Sequence, residues 1–373
     1  MHEFLTFKSG NYYFNENYDV SEINSLLVRA TVLNETITDL PILPELATKI
    51  EPDIMYSSIA GTAAIEGNPI TGDDVRRIAQ GEDIEIYTQK HKQEIRNLIE
   101  AYHLLSGVET SDEPFIVSEQ LITDIHAIIT KDVPDENNIP GTYRNGIVYV
   151  GDDAHGGIHK PPKILKDIQN LINEFVTWLN SDDVLQTDPF IRAALAHYYF
   201  CVIHPFWDGN GRTARLLEAI LLQSANIKYV PRELSNYYYR NVDDYYIAFS
   251  KGIKLKNDFT PFLRFYLEAV VESLSSIKES IVFFIRKFTL RDFYRNEQQH
   301  KRITIRQLDL LNLLLDGHSS VTLKALHVEK PFSYLYNKVS TQTARRDLKK
   351  LVKQDLLQID EANIYHLNFR ALG

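Results

Sequence analysis

Residues 203–215 read IHPFWDGNGRTAR and crowd together a histidine, His204, an acid, Asp208, three turn-forming residues, Gly209, Asn210 and Gly211, and two arginines, Arg212 and Arg215. A Gly- and Asn-rich turn running into a helix points unpaired backbone N–H groups and the positive end of the helix dipole at one spot, which makes an anion site. Two guanidinium groups three residues apart in the first turn add positive charge on the same side. That placement opposes the dipole unless a polyanion is the usual occupant. The chemistry implied is the binding of more than one phosphate. A Walker P-loop is excluded, because GxxxxGK[ST] is absent and no strand is expected before the turn. The bland alternative for the same residues is a helix–helix turn with solvated arginines.

Helices must hold this turn from both sides. Upstream, DPFIRAALAHYYFCVIHPF offers Asp188 as N-cap and Pro189 at the first helical position. Its Leu195, Tyr198, Tyr199 and Val202 fall toward one side, so a buried helix should deliver His204 to the turn. Between about 141 and 162 the helical period fails, and GIVYVGDDAHGGIHKPP reads as a hairpin around a Gly- and Asp-rich turn, the one hairpin expected in the first three hundred residues. Further upstream, residues 20–50 read as a helical lead-in. EPDIMYSSIAGTAAIEGNPIT then reads as a helix from about Asp53 to Glu66, stopped by Gly67, Asn68 and Pro69 and followed by a helix capped by Thr71.

The motif HPFWDGNGRTAR resembles the signature of the Fic family, HPFx[DE]GNGRxxR, at every position. GTYRNGIVYVGDD and IHKPP resemble the hairpin flap that precedes it, and Tyr245–Tyr246 the tyrosine pair that follows, so the likeness covers roughly residues 45–270. The resemblance implies a mainly α fold, with a helical core and β-hairpin flap that hold Mg·ATP and transfer AMP to a Tyr, Thr or Ser hydroxyl of another protein or of the chain itself. His204 is then the general base, suited to it by a pKa near neutrality. Asp208 is the Mg²⁺ ligand, since that ion takes one or two carboxylates with phosphate oxygens and water. Gly209, Asn210 and Gly211 receive the α- and β-phosphates, and the family assigns the β-phosphate to Arg212 and the γ-phosphate to Arg215. Tyr245 and Tyr246 flank the adenine, with a core role as their alternative, and Ile158 and His159 of the flap lie nearest the nucleotide. An Asn that reaches the base in some relatives has no counterpart in YYIAFSKGIK.

Glu66 stands at a helix end where the dipole disfavours an acid. TAAIEG matches the family's inhibitory pattern [ST]xxxE[GN]. The resemblance therefore pairs Glu66 with Arg215 at the γ-phosphate site and makes it an internal inhibitor, with removal of AMP from modified targets as a second activity in some members.

Four regions are expected: an N-terminal helical region over 1–110 with the inhibitory helix at about 53–66, a catalytic core over 111–270, a connecting helix over 271–300, and a winged-helix domain over 301–373. In the last, STQTARRDLKKLVKQ places Ala344, Leu348 and Leu351 inward and Arg345, Arg346, Lys349, Lys350 and Lys353 outward, as a DNA-reading or protein-docking helix would. The net charge of −10 over 373 residues confines any nucleic-acid role to one segment. A single cysteine, Cys201, and the lack of a signal-like start or a membrane span lead to the expectation of a cytoplasmic protein, with a homo-oligomer left open. Two functions compete: a self-restrained protein adenylyltransferase, and a nucleotide-sensing winged-helix DNA-binding regulator. An intact His204 favours the first, because a sensor needs no base.

Overall fold

The structure, a computed structural model, describes residues 2–40, 44–111, 113–255, 258–317 and 320–371, the side chains of 44–51, 53 and 232 excepted. It is mainly helical and falls into two compact units, residues 1–278 and 279–373.

The first unit opens with a hairpin, β1 (His2–Leu5) and β2 (Asn11–Phe14), paired antiparallel with His2 opposite Phe14. The sequence reading missed this hairpin, although Ser9–Gly10 between two β-forming runs was its signal, with Gly10 at φ 92°. The buried Asp167 carboxylate holds its turn, accepting from the Phe7 and Lys8 N–H groups and the Ser9 hydroxyl. Helices α1 (Val20–Asp39), α2 (Pro44–Ile65), α3 (Gly72–Ala79), α4 (Gln89–Ser106), α5 (Glu119–Thr130), α6 (Leu165–Leu179) and the short α7 (Asp182–Leu185) follow. Helix α2 starts nine residues before the expected Asp53 and runs through Pro52, so that proline does not open the helix. Its end is as expected, with Gly67 at φ 84° and the Thr71 hydroxyl capping α3 through the Asp74 N–H.

The centre of the unit is the pair α8 (Pro189–Ile203) and α9 (Asn210–Ser224), which pack on each other, with α2, α4 and α5 also against α9. Asp188 caps α8 and Pro189 occupies its first turn. The expectation of a one-sided α8 is corrected: every residue but Pro189 and Cys201 is buried, because helices and the N-terminal hairpin cover it all round. Ile59, Ala63, Ile95, Leu98, Ile125, Ile129, Leu216 and Ile220 form one apolar core beneath α9. After α10 (Leu234–Arg240) and α11 (Val242–Lys254), α12 runs forty residues from Thr260 to Gln299, well before the expected start of a connecting helix at 271.

The expected flap hairpin is reduced to one antiparallel bridge, Val150 with His159, bonded both ways at 3.1 and 2.8 Å. Gly151, Gly156 and Gly157, all at positive φ, turn the chain too sharply for a ladder to extend.

In the second unit, α13 (Ile305–Leu315) carries a Thr304–Gln307 capping box. Then come β3 (Ser320–Val321), α14 (Ala325–Val328), α15 (Ser333–Tyr336), α16 (Thr341–Lys353), β4 (Leu357–Ile359) and β5 (Tyr365–Leu367). Strand β5 lies between β3 and β4, both antiparallel to it, so the unit ends in a three-stranded sheet. Its own core gathers Leu310, Leu314, Leu326, Tyr336, Ala344, Leu348 and Leu351.

Candidate functional site

A cavity of about 480 Å³ opens where α8 ends and α9 begins. Glu66, Ile158, His159, His204, Gly211, Arg215, Tyr245 and Tyr246 line it, together with Cys201, Ser250, Ile253 and Lys254. Two left-handed residues shape the intervening loop, His204 at φ 49° and Gly209 at φ 77°. A histidine pays strain in that region, so other groups must hold it there. His204 N–H donates to the Phe200 carbonyl, and the fully buried Arg144 donates from Nε to the His204 carbonyl at 2.8 Å. Arg144 Nη1 also donates to the carbonyls of Gly146 and Pro162, at 2.6 and 2.7 Å, and its N–H to that of Pro205. Burial pushes Arg144 down to about 10, which leaves it charged at pH 7.

Burial, and then the Arg144 charge, push the His204 imidazole down to about 4, with weaker opposition from Glu66 and the Cys201 carbonyl. It is neutral at pH 7 and can accept a proton, although its basicity is below the near-neutral value expected. Anionic phosphates in the cavity would raise it, as opposite charge does. Its buried Nδ1 makes no hydrogen bond of normal geometry.

The loop is pinned from inside. Asn210 closes it with its side-chain amide, accepting from Phe206 N–H and donating to the Phe206 carbonyl, both at 2.9 Å. His126, fully buried, stacks on Phe206 with ring centroids 3.6 Å apart and only 2° between planes. Gly141 N–H donates to its Nδ1, so Nε2 carries the proton and donates to the Asp208 carbonyl at 3.0 Å. Neither His126 nor Arg144 had a local sequence signal, since their partners lie 82 and 60 residues away.

The two arginines do not converge as expected. Arg215, almost wholly buried, donates to Glu66 Oε1 at 2.6 Å, to the Thr62 hydroxyl at 2.7 Å and, at 3.4 Å, to the Tyr245 hydroxyl. Arg212 pairs instead with Asp208 at 2.9 Å and lies 3.7 Å from Glu94, outside the cavity lining. Three residues turn a helix by about 300°, and long side chains on diverging vectors follow the nearest carboxylate. Gly211 lets the inhibitory-pattern glutamate approach: a Cβ there would sit 2.5 Å from Glu66 Oε1.

Tyr245 takes the core role, the alternative to flanking the adenine. Its ring is buried and stacked on Tyr238 at 5.0 Å among Phe249, Phe262 and Phe265, so it offers no face to a base. Since arginine only donates, the Tyr245 oxygen accepts from Arg215 and its proton goes to His197 Nε2 at 2.8 Å. His197 Nδ1–H then donates to Glu218 at 2.5 Å. A buried carboxylate thus backs Arg215 through His197 and the Tyr245 hydroxyl. Tyr246 is half-buried in the lining, with its hydroxyl 3.5 Å from the Ile65 carbonyl. Ile158 is exposed, while His159 donates from Nε2 to the Val202 carbonyl at 2.8 Å. Among the described residues no three His, Cys, Asp or Glu side chains cluster to hold a metal. Asp208 accepts from Gly209 N–H and Arg212, and burial, which alone would raise its pKa, is outweighed by the Arg212 charge and these bonds. One ionised, partly exposed carboxylate fits Mg²⁺ only alongside phosphate oxygens and water.

Residues 116–222 match the profile of the Fic/DOC family. These residues form a Fic domain. The chain is 30% identical over 233 residues to a protein adenylyltransferase Fic of Aedes aegypti, covering 61% of this chain and 42% of that protein. It is 29% identical over 207 residues to protein adenylyltransferase fic-1 of Caenorhabditis elegans, covering 55% of this chain and 37% of that one. The chain therefore spans less than half the length of these curated relatives. Among solved structures, a Fic family protein of Desulfovibrio desulfuricans G20 aligns with 95% of this chain and 98% of its own, at 19% identity and TM-score 0.60. Fic-1 (residues 134–508) of C. elegans aligns with 69% of this chain and 71% of its own, at 25% identity and TM-score 0.52. The mainly helical architecture is thus that of Fic proteins, with the Fic domain ending inside α9 and the tyrosine pair beyond it.

Proposed function

We propose that the chain is a protein adenylyltransferase restrained by its own Glu66. The supporting observation is the convergence in one cavity of a neutral His204, the N-terminal turn of α9 and an Arg215 already paired with Glu66. His204 takes the proton of a Tyr, Thr or Ser hydroxyl of a protein target or of the chain itself. The oxygen bonds to the α-phosphorus of ATP as the bond to the β-phosphate oxygen breaks, and pyrophosphate leaves. The N–H groups of Asn210, Gly211 and Arg212 have no intrahelical acceptor and meet the phosphates, while Arg215 takes the γ-phosphate once Glu66 withdraws. Asp208 would hold Mg²⁺ together with phosphate oxygens and water, and that cation would neutralise phosphate charge. Tyr246, Ile158 and His159 border the base and the target segment. Glu66 can also orient a water for removal of AMP from a modified target. No described helix is long and apolar enough to cross a membrane, and the lone Cys201 forms no intrachain disulfide, in keeping with work on cytoplasmic targets.

The test is transfer from α-labelled and from γ-labelled ATP. Label should pass to protein only from the α position. Glu66→Gly should raise the rate at least tenfold, His204→Ala should abolish it with ATP affinity within a few-fold, and Glu66→Gly with Arg215→Ala should be inactive. A folded Glu66→Gly chain that binds ATP yet transfers no faster overturns the restraint, and label passing from the γ position overturns AMP transfer.

A further inference from the structure

We propose that residues 279–373 bind double-stranded DNA through the exposed face of α16. The chain's negative charge is unevenly distributed: these residues carry sixteen Lys and Arg against ten Asp and Glu, and residues 1–278 carry twenty-four against forty. The acidic average therefore hides a basic unit, the condition phosphate affinity requires.

Within that unit the largest group of cations without an ion pair among the described residues lies on one helix, with Lys301, Lys324, Lys330 and Lys338 scattered elsewhere. Lys287 and Arg291 meet Asp316, Arg295 meets Asp292, Arg302 meets Glu297, and Arg306 meets Asp347. Arg345, Arg346, Lys349, Lys350 and Lys353 have no ion-pair partner among the described residues, and all but the half-buried Lys350 are exposed. Gln342, Arg345, Arg346, Lys349 and Lys353 follow the i, i+3, i+4 spacing of one helix face and run about 16 Å along it. The opposite face, Ala344, Leu348 and Leu351, is buried. The helix's one acid, Asp347, also points inward, accepting from Arg306 and from Gln307 at 2.9 Å, so nothing on α16 neutralises the stripe.

A rigid helix with this stripe fits the major groove, about 12 Å wide, where its N-terminal residues reach base edges and the rest meet phosphates. Gln342, Thr343 and Arg345 stand at that end and supply the hydrogen-bond donors and acceptors. The order of elements, α13, β3, α14, α15, α16 and the β4–β5 hairpin with β3 paired to β5, resembles that of a winged helix. Asp360 and Glu361 at the hairpin tip keep the phosphate contacts on α16 and off the wing.

The experiment is fluorescence anisotropy of a labelled mixed-sequence duplex of about twenty base pairs, titrated with the full chain. Saturable binding is expected at 50 mM salt, weakening about a hundredfold by 200 mM if about four phosphates are met. Arg346→Glu with Lys349→Glu, on exposed positions and checked for an unchanged thermal transition, should lose at least tenfold in affinity, and Arg346→Lys should keep most of it. Absence of duplex binding at tens of micromolar overturns the proposal, and so does equal binding by the charge-reversed chain. A polyglutamate peptide that competes as well as unlabelled duplex overturns it in favour of an acidic protein partner.

Discussion

At the scale of single residues, Arg215 has more support than its motif suggests. Glu66 and Thr62 hold it from α2 and the turn after it, and Tyr245 holds it from α11 with His197 and Glu218 behind. Under the proposed release of Glu66, the Tyr245 hydroxyl would remain to aim the guanidinium. Tyr245→Phe removes that acceptor and strands His197 Nε2, at a cost of about 1–2 kcal/mol. Under the proposed γ-phosphate role, the ratio of ATP to AMP affinity should fall several-fold while AMP affinity stays put. Calorimetric titration with both nucleotides checks this. An equal loss for both would mean that Tyr245 only packs the core.

At the scale of elements, the loop between α8 and α9 is fixed from outside both helices. Arg144 spends its donors on carbonyls of the loop and of the flap's two ends, which ties His204 to the segment expected to lie over the nucleotide. Arg144→Met keeps much of the volume but leaves these carbonyls unpaired in the interior. We expect a loss of about 3 kcal/mol, read by urea unfolding, and a fall in transfer rate larger than the fall in ATP affinity, because the strained His204 backbone is freed. A variant as stable and active as the parent would show that the loop holds itself.

At the scale of the whole molecule, buried neutral histidines set the acid limit of the first unit. Burial lowers His126 to about 4 and His204 to about 4, and lowers His159 as well. A histidine whose folded pKa lies below its unfolded value of 6.5 binds fewer protons when folded. Its contribution is complete above pH 6.5 and is lost as pH falls toward 4. For His126 protonation is obstructed outright, because Nδ1 already accepts from the Gly141 N–H. His126 alone should remove about 2 kcal/mol between pH 7 and pH 5. Urea midpoints at the two pH values check this, and a midpoint that does not move would contradict it.

The signature loop, its flanking helices and the Glu66 pattern were legible in the sequence because each is local: caps, glycines and arginines separated by a few residues report their own geometry. The cap at Asp188, the stop at Gly67 and the inward face of α16 could all be read this way. What holds the loop could not. His126, Arg144, Thr62 and the Glu218–His197–Tyr245 relay act across 21 to 153 residues, where chain spacing carries no directional information. Tertiary packing also sent Arg212 and Arg215 to different carboxylates and buried Tyr245. Sequence spacing sets where a side chain leaves the helix, and only the neighbouring elements decide which of its long-armed rotamers finds a charge to meet.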